Sequence, residues 1–183
     1  MADSFSVCME KLVAQIGADT PLAQFCAGTW GRDLTVRTAL KKRHEVHQNK
    51  LPVIMITRPS VTGHEYRGGY HKAVHRVRLY AGFYQSDADK AVPEQIRFEE
   101  LICDAVLGDG AFTDSASSVS IGMSANDEGI GHPSYFTVID FDVAYDRELT
   151  DETSLDDFKT FAPGIDMNPA DGQIDAQDNI IME

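Results

Sequence analysis

Three histidines and two aspartates are the residues of this chain whose types and spacing suit chemistry. His71 and His75 are four residues apart, a spacing that places two metal ligands on one side of a helix. The surrounding sequence predicts a strand instead, on which both residues still point the same way, and His64 lies in the segment before it. Asp140 and Asp142 are two residues apart on another predicted strand and suit acid–base or metal chemistry. A metal-binding enzyme that uses these five residues is therefore an alternative function.

The structural interpretation of the aspartates is that they are solvated or paired with Arg76 and Arg78 across the sheet. Motifs for other chemistry are incomplete. The glycines before Tyr70 lack the Lys and Ser or Thr of a phosphate-binding loop, the pair at Gly129 and Gly131 precedes a strand rather than a helix, and no Gly-x-Ser-x-Gly elbow occurs. We therefore predict a protein that is not an enzyme, with no catalytic residue, no metal and no cofactor.

Hydrophobic periodicity predicts the elements that must position these residues. Helices are expected at residues 5–16, 20–27 and 93–107, with breaks at residues 28–31 and at Gly108. Strands are expected at residues 34–40, 51–57, 70–84, 119–123 and 135–145. Pro59 is expected to end the second strand, and residues 60–69, which contain three glycines, read as a loop.

The alternation within residues 76–84 and 135–145 is that of antiparallel strands with one apolar face. On residues 135–145 the predicted core face carries six residues: Tyr135, Thr137, Ile139, Phe141, Val143 and Tyr145. The predicted fold class is α+β, a mostly antiparallel sheet packed by two to three helices on one face, with an extended C-terminal arm.

Two segments are expected along the chain. Residues 1–148 form the α+β domain, and residues 149–183 form an acidic extended arm, because hydrophobes such as Phe158, Phe161 and Ile165 recur there with no period. The three separated cysteines are typical of a reduced, cytoplasmic product. No apolar run is long enough to span a bilayer, and the first residues do not read as a signal peptide, so no membrane partner is expected.

Charge is unevenly distributed within the net charge of −13. Residues 32–78 carry +8, residues 79–146 carry −11, and residues 147–183 carry −8. Opposite charge on separate segments predicts surfaces that meet within a subunit or between copies, the alternative being that these charges simply face water. Twelve residues are predicted at an assembly interface: Arg37, Lys41, Lys42, Arg43, Arg76, Arg78, Glu99, Glu100, Asp104, Phe158, Phe161 and Ile165.

The order of these segments resembles a known family. An N-terminal amphipathic helix precedes a basic stretch and the strand Leu-Pro-Val-Ile-Met-Ile-Thr-Arg-Pro at residues 51–59. The strand at residues 75–84, the helix at 93–107 and the strand containing Phe-Thr-Val-Ile-Asp-Phe-Asp-Val-Ala-Tyr follow. Over residues 5–146 this layout is similar to the tail terminator (tail completion) proteins of long-tailed bacteriophages and the neck proteins close to them. No single motif carries the resemblance, and the arm lies outside it.

The resemblance implies a structural virion protein that is assembled in the host cytoplasm and resides in the tail or neck. Its copies would form a ring, a hexamer in this family, that caps the tail tube, ends tube polymerisation and joins the tail to the head. The implied partners are further copies of the chain, the tube protein, a sheath protein, a head-side neck or connector protein, and genomic DNA that passes through the lumen without sequence recognition. A head-completion or neck adaptor protein is the alternative within the same class.

Overall fold

The computed structural model describes residues 5–38, 46–67, 69–127 and 129–148, and four two-residue strands between residues 160 and 181. The described part of the chain has three α-helices and a five-stranded, mostly antiparallel sheet, so the predicted α+β class is confirmed. The elements are α1 (Phe5–Ala18), α2 (Thr20–Trp30), β1 (Thr35–Thr38), β2 (Val53–Arg67), β3 (Tyr70–Tyr84), α3 (Ala88–Leu107), β4 (Ser118–Asn126) and β5 (Ser134–Glu148).

The strand order is β1-β2-β3-β5-β4. β1 runs parallel to β2, whereas β2 is antiparallel to β3 and β4 is antiparallel to β5. The backbone N–H of Gln85, just after β3, donates to the Pro133 carbonyl, just before β5, at 2.9 Å. The central strands therefore run antiparallel, which brings the middle of β3 next to the middle of β5.

The larger core cluster lies between one face of the sheet and the helices, and a smaller cluster of Leu51, Val53, Met55 and Phe136 is buried on the opposite face. α1 contributes Phe5, Leu12 and Ile16 from one face of the helix, as its apolar spacing predicts. The six predicted core-face residues of β5 are all buried, and β3 buries Val77, Leu79, Ala81 and Phe83 on the same side. Among the described residues, no helix is both long and apolar enough to cross a membrane.

The helix bounds correct two expectations. α2 does not break at Gly28 but continues to Trp30 and ends at Gly31, whose φ of 64° is readily adopted only by glycine and whose N–H donates to the Ala27 carbonyl. α3 begins five residues before Pro93, because the Asp87 side chain caps it by accepting a hydrogen bond from the Asp89 N–H.

β2 corrects a third expectation, since residues 60–67 are a strand and not a loop. β2 continues through Pro59, and the pairing register shifts between Thr57 and Ser60, so the proline lies in a bulge, where no ladder hydrogen bond is required of it. Arg67 pairs with Tyr70, which leaves only two residues in the turn of the β2–β3 hairpin.

The chain divides into two units, residues 3–147 and residues 148–183 with the first two residues. In the second unit, β6 (Thr160–Phe161) pairs with β9 (Ile180–Ile181), and β7 (Gly164–Ile165) pairs with β8 (Ala176–Gln177), both antiparallel. The remainder of the predicted arm lies outside the described residues.

Candidate assembly interface

Two arginine–aspartate pairs join β3 to β5 on the face of the sheet opposite the helices, which we call the open face. The Arg78 Nε and Nη2 atoms donate to the two carboxylate oxygens of Asp140 at 2.6 and 2.7 Å. The Asp140 side chain is 3% exposed, and its hydrogen bonds to Arg78 hold the pKa of its carboxyl below the usual range. Arg76 binds Asp142 in the same way at 2.9 and 3.2 Å, but its side chain is 48% exposed.

These contacts confirm the predicted pairing of the aspartates across the sheet. Both arginines are also predicted at the assembly interface, and that role remains a prediction. Arg76 and Arg78 are already bound by carboxylates of the same subunit, so little of their charge remains to attract a partner.

The histidines of the alternative metal-site hypothesis are divided between two environments. His64 Nδ1 and His71 Nε2 are 3.0 Å apart on the hairpin surface. His75 is 7% exposed and stacks on the Phe5 ring of α1 at a centroid distance of 3.7 Å. Burial and the nearby Arg58 guanidinium lower the pKa of His75 to about 4. No three potential metal ligands cluster among the described side chains, and the two aspartates are bound by arginines.

The distal part of the β2–β3 hairpin, residues 60–67 and 70–74, is here named the hairpin extension. The side chains from Thr62 to Arg67 on β2 are all exposed, and Tyr66 and Tyr70 are 68% and 54% exposed. Because side chains alternate along a strand, Tyr70 and Lys72 lie on the open face with Arg76, and Arg67 lies opposite Tyr70 on that face. The extension thus presents an aromatic ring between two cations.

α3 carries a second apolar stripe on the side that points away from the core. Val92, Ile96 and Leu107 are 59%, 51% and 44% exposed, and Cys103, between them in helical spacing, is half-buried and packs against the edge of the core. Three carboxylates flank this stripe: Glu99, Glu100 and Asp104. We call these seven residues the outer face of α3.

β4 extends this surface at the edge of the sheet. The Ser124 hydroxyl donates to the Glu99 carboxylate, which ties the strand to the helix. Ile121 is 46% exposed and pairs opposite the core residue Phe141, so it lies on the helix side of the sheet. An exposed apolar surface of this kind, rimmed by charge, is typical of a protein–protein contact.

Comparison with known proteins concerns the fold. No family model and no curated protein sequence matches the chain. Among solved structures, a chain of "Virion of native gene transfer agent (GTA) particle" is similar to this chain with a TM-score of 0.52 and 14% sequence identity. The match covers 78% of this chain and 99% of that chain. At this identity the two chains share a fold, and that fold accounts for nearly all of the other chain.

The remaining predicted interface residues fall in several places. Arg37 lies on β1, where its Nε atom is buried and has no hydrogen bond among the described residues. Phe161 and Ile165 lie on β6 and β7. Four predicted residues lie outside the described part of the chain: Lys41, Lys42, Arg43 and Phe158. Glu99, Glu100 and Asp104 are the predicted residues that the structure brings together.

Sequence reasoning misses the β2 half of the hairpin extension, because the glycines of residues 60–69 predict a loop, whereas the strand predicted at residues 70–84 is confirmed as β3. A signal was present: two glycines, Gly68 and Gly69, separate two segments of strand-forming residues, which is a two-residue hairpin pattern. Gly69 has a φ of 81°, a value that this turn requires. The outer stripe of α3 corrects another expectation: the apolar spacing predicts Ile96 in the buried stripe of this helix with Leu101, Ile102, Cys103 and Val106, whereas Ile96 is 51% exposed.

Proposed function

We propose that the chain is a structural virion protein whose copies form a ring that caps a phage tail tube, stops tube growth and joins the tail to the head or neck. The observation that carries this proposal is the fold, since a chain of the same fold belongs to the virion of a gene transfer agent particle and is matched over 99% of its length. The resemblance of the segment order to tail terminators supports the finer assignment.

The surfaces of the subunit support a ring. A closed ring needs two unlike patches on each subunit, because each copy contacts its neighbours through different surfaces. The hairpin extension and the outer face of α3 are unlike patches of this kind, one aromatic and basic and the other apolar and acidic. Acidic side chains would also keep DNA from adhering as it passes through the lumen.

The oligomer is tested by size-exclusion chromatography with light scattering on the full chain. We expect a closed species of several copies, with six times the 20.2 kDa chain mass for a hexamer, or a single chain that assembles when tail tubes are added. A chain that remains single and never binds tubes would refute the proposal.

The position in the virion is tested by electron microscopy of particles that lack the protein. Over-long tails are the expected result for a terminator. Full heads that leak DNA or fail to join tails would instead assign the chain to the head-completion or neck adaptor class, which the fold also permits. Normal particles would exclude both assignments.

The C-terminal arm is proposed to act in assembly and not in folding of the domain at residues 1–148. We expect deletion of residues 149–183 to leave the thermal unfolding transition within about 2 °C of that of the full chain, because helices α1–α3 and strands β2, β3 and β5 supply a continuous core to the domain. Oligomer formation or tube binding should weaken. Loss of the unfolding transition would show that the arm belongs to the folding unit.

A further inference from the structure

We propose that the hairpin extension of one copy binds the outer face of α3 on the next copy, with the open-face side chains Arg67, Tyr70 and Lys72 as its contact residues. This inference rests on the proposed ring and identifies the contact that would build it. The two surfaces belong to different parts of the subunit, so the contact is head-to-tail and can close.

The chemistry of the two surfaces is complementary. The hairpin extension carries a net +1, from Arg67, Lys72 and the acid Glu65 that pairs opposite Lys72, whereas residues 92–109 carry −4, from five acids and one Arg. Arg67 and Lys72 have no ion pair among the described residues, unlike Arg76 and Arg78. On the other surface, Asp104 is exposed and also has no ion pair there. Glu100 already pairs with the exposed Arg97 of its own helix at 2.9 Å, so the two cations of the extension match Asp104 and the net negative charge of the helix.

The dimensions also agree. Arg67 and Lys72 are diagonal neighbours across the two strands of the hairpin, about 7–8 Å apart. Glu100 and Asp104 are four residues apart on a helix, about 6 Å. The Tyr70 ring, flanked by the two cations, would contact the apolar stripe at Ile96, and exposed aromatic residues of this kind are frequent anchors of interfaces.

Side chains rather than free strand edges are expected to make the contact. The pairing register of β2 shifts between Thr57 and Ser60 and again between Thr62 and Glu65. Pro59 and these bulges interrupt the regular row of backbone donors and acceptors that a further strand would need. A sheet that continues from copy to copy is thus disfavoured at the hairpin extension.

The test uses two charge-reversed full-length chains. In the first, Arg67→Glu and Lys72→Glu make the extension acidic; in the second, Glu100→Lys and Asp104→Lys make the outer face of α3 basic. Each chain alone should self-associate about tenfold or more weakly than the wild type, since like charges now meet. An equimolar mixture should recover association to within about threefold, because each extension now meets an oppositely charged helix on the other variant.

Matched controls reverse exposed charges elsewhere, with Lys50→Glu and Asp114→Lys, and should leave association unchanged. All six positions are exposed, so the thermal transitions of these chains should match that of the wild type. Light scattering and sedimentation at two salt concentrations give the association constants.

Three outcomes would overturn the inference. If the wild type forms rings and both reversed chains form them equally well, another surface builds the ring and the proposed function stands. If the mixture fails to recover association, the two surfaces do not meet. If reversal of the extension abolishes retention of duplex DNA while self-association is unchanged, the extension faces nucleic acid. Recovery of association in the mixture supports the contact between the two surfaces. If tail length is nevertheless unchanged in particles that lack the protein, the proposed function fails and the contact stands.

Discussion

The helix-covered body of the sheet and the hairpin extension are continuous parts of the same two strands, yet they are stabilised in different ways. On β3, residues from Val77 to Phe83 alternate into a core formed with three helices. On β2, residues from Thr62 to Arg67 are exposed on both faces. Burial stabilises the body, whereas an isolated two-stranded hairpin is marginally stable in water. The comparison indicates that the extension contributes little to folding.

The largest contrast is expected between two aromatic truncations. Phe98 is 1% exposed and lies among the rings of Phe25, Trp30 and Phe83, so Phe98→Ala should lower the free energy of unfolding by about 3–5 kcal/mol. Tyr66 is 68% exposed, and Tyr66→Ala should cost less than about 0.5 kcal/mol, even though its ring stacks on a histidine.

Urea unfolding measured by circular dichroism gives both values, provided that the slope of the free energy against urea is the same in each variant. If Tyr66→Ala lowers the free energy of unfolding by about 2 kcal/mol or more, as the loss of a buried side chain would, the extension belongs to the cooperative core. The contrast between the body and the extension would then be wrong.

A smaller contrast is expected between the two ion pairs, which lie along β3 in the direction of the extension. Asp140→Asn removes the charge that faces Arg78 where the carboxylate is 3% exposed, so we expect a loss of about 2–3 kcal/mol. Asp142→Asn acts on the outer pair, whose side chains are 48% and 30% exposed, and should cost at most about 1 kcal/mol.

The same pairs predict a pH dependence. The pKa of Asp140 lies below its usual range in the fold, so its stabilisation is present at neutral pH and is lost as the pH falls toward the pKa of the folded state. Stability measured from pH 7 downward should therefore fall less steeply in Asp140→Asn than in the wild type. If Asp140→Asn and Asp142→Asn lower the free energy of unfolding equally at neutral pH, the distinction between the buried pair and the exposed pair is contradicted.

The body was largely predictable from sequence, since alternation on β3 and β5 reports burial on one face. The same alternation places Arg76 and Arg78 on one face of β3 and Asp140 and Asp142 on one face of β5. Because these side chains carry opposite charges, their pairing across the sheet was predictable as well. The β2 half of the extension was not predicted, because a strand exposed on both faces has no apolar period and the glycines were the remaining signal. The exposed apolar stripe on the outer face of α3 was not predicted either. An apolar residue on a helix is buried or exposed according to which side of the helix meets the core, and the sequence of the helix does not fix that side.

The smallest of these contrasts concerns His75, which lies where the extension leaves the body. Its pKa of about 4 in the fold is below the unfolded value of 6.5, so the unfolded chain binds the proton first as the pH falls. Stability that is present above pH 6.5 is therefore lost between pH 6.5 and pH 4, by about 2 kcal/mol at pH 5. His75→Phe keeps the stacking on Phe5 and should remove this loss, whereas the exposed control His47→Gln should not. Denaturation at pH 7.5 and pH 5 measures the difference. If His75→Phe loses as much stability as the wild type, the junction is open to water and the body ends before His75.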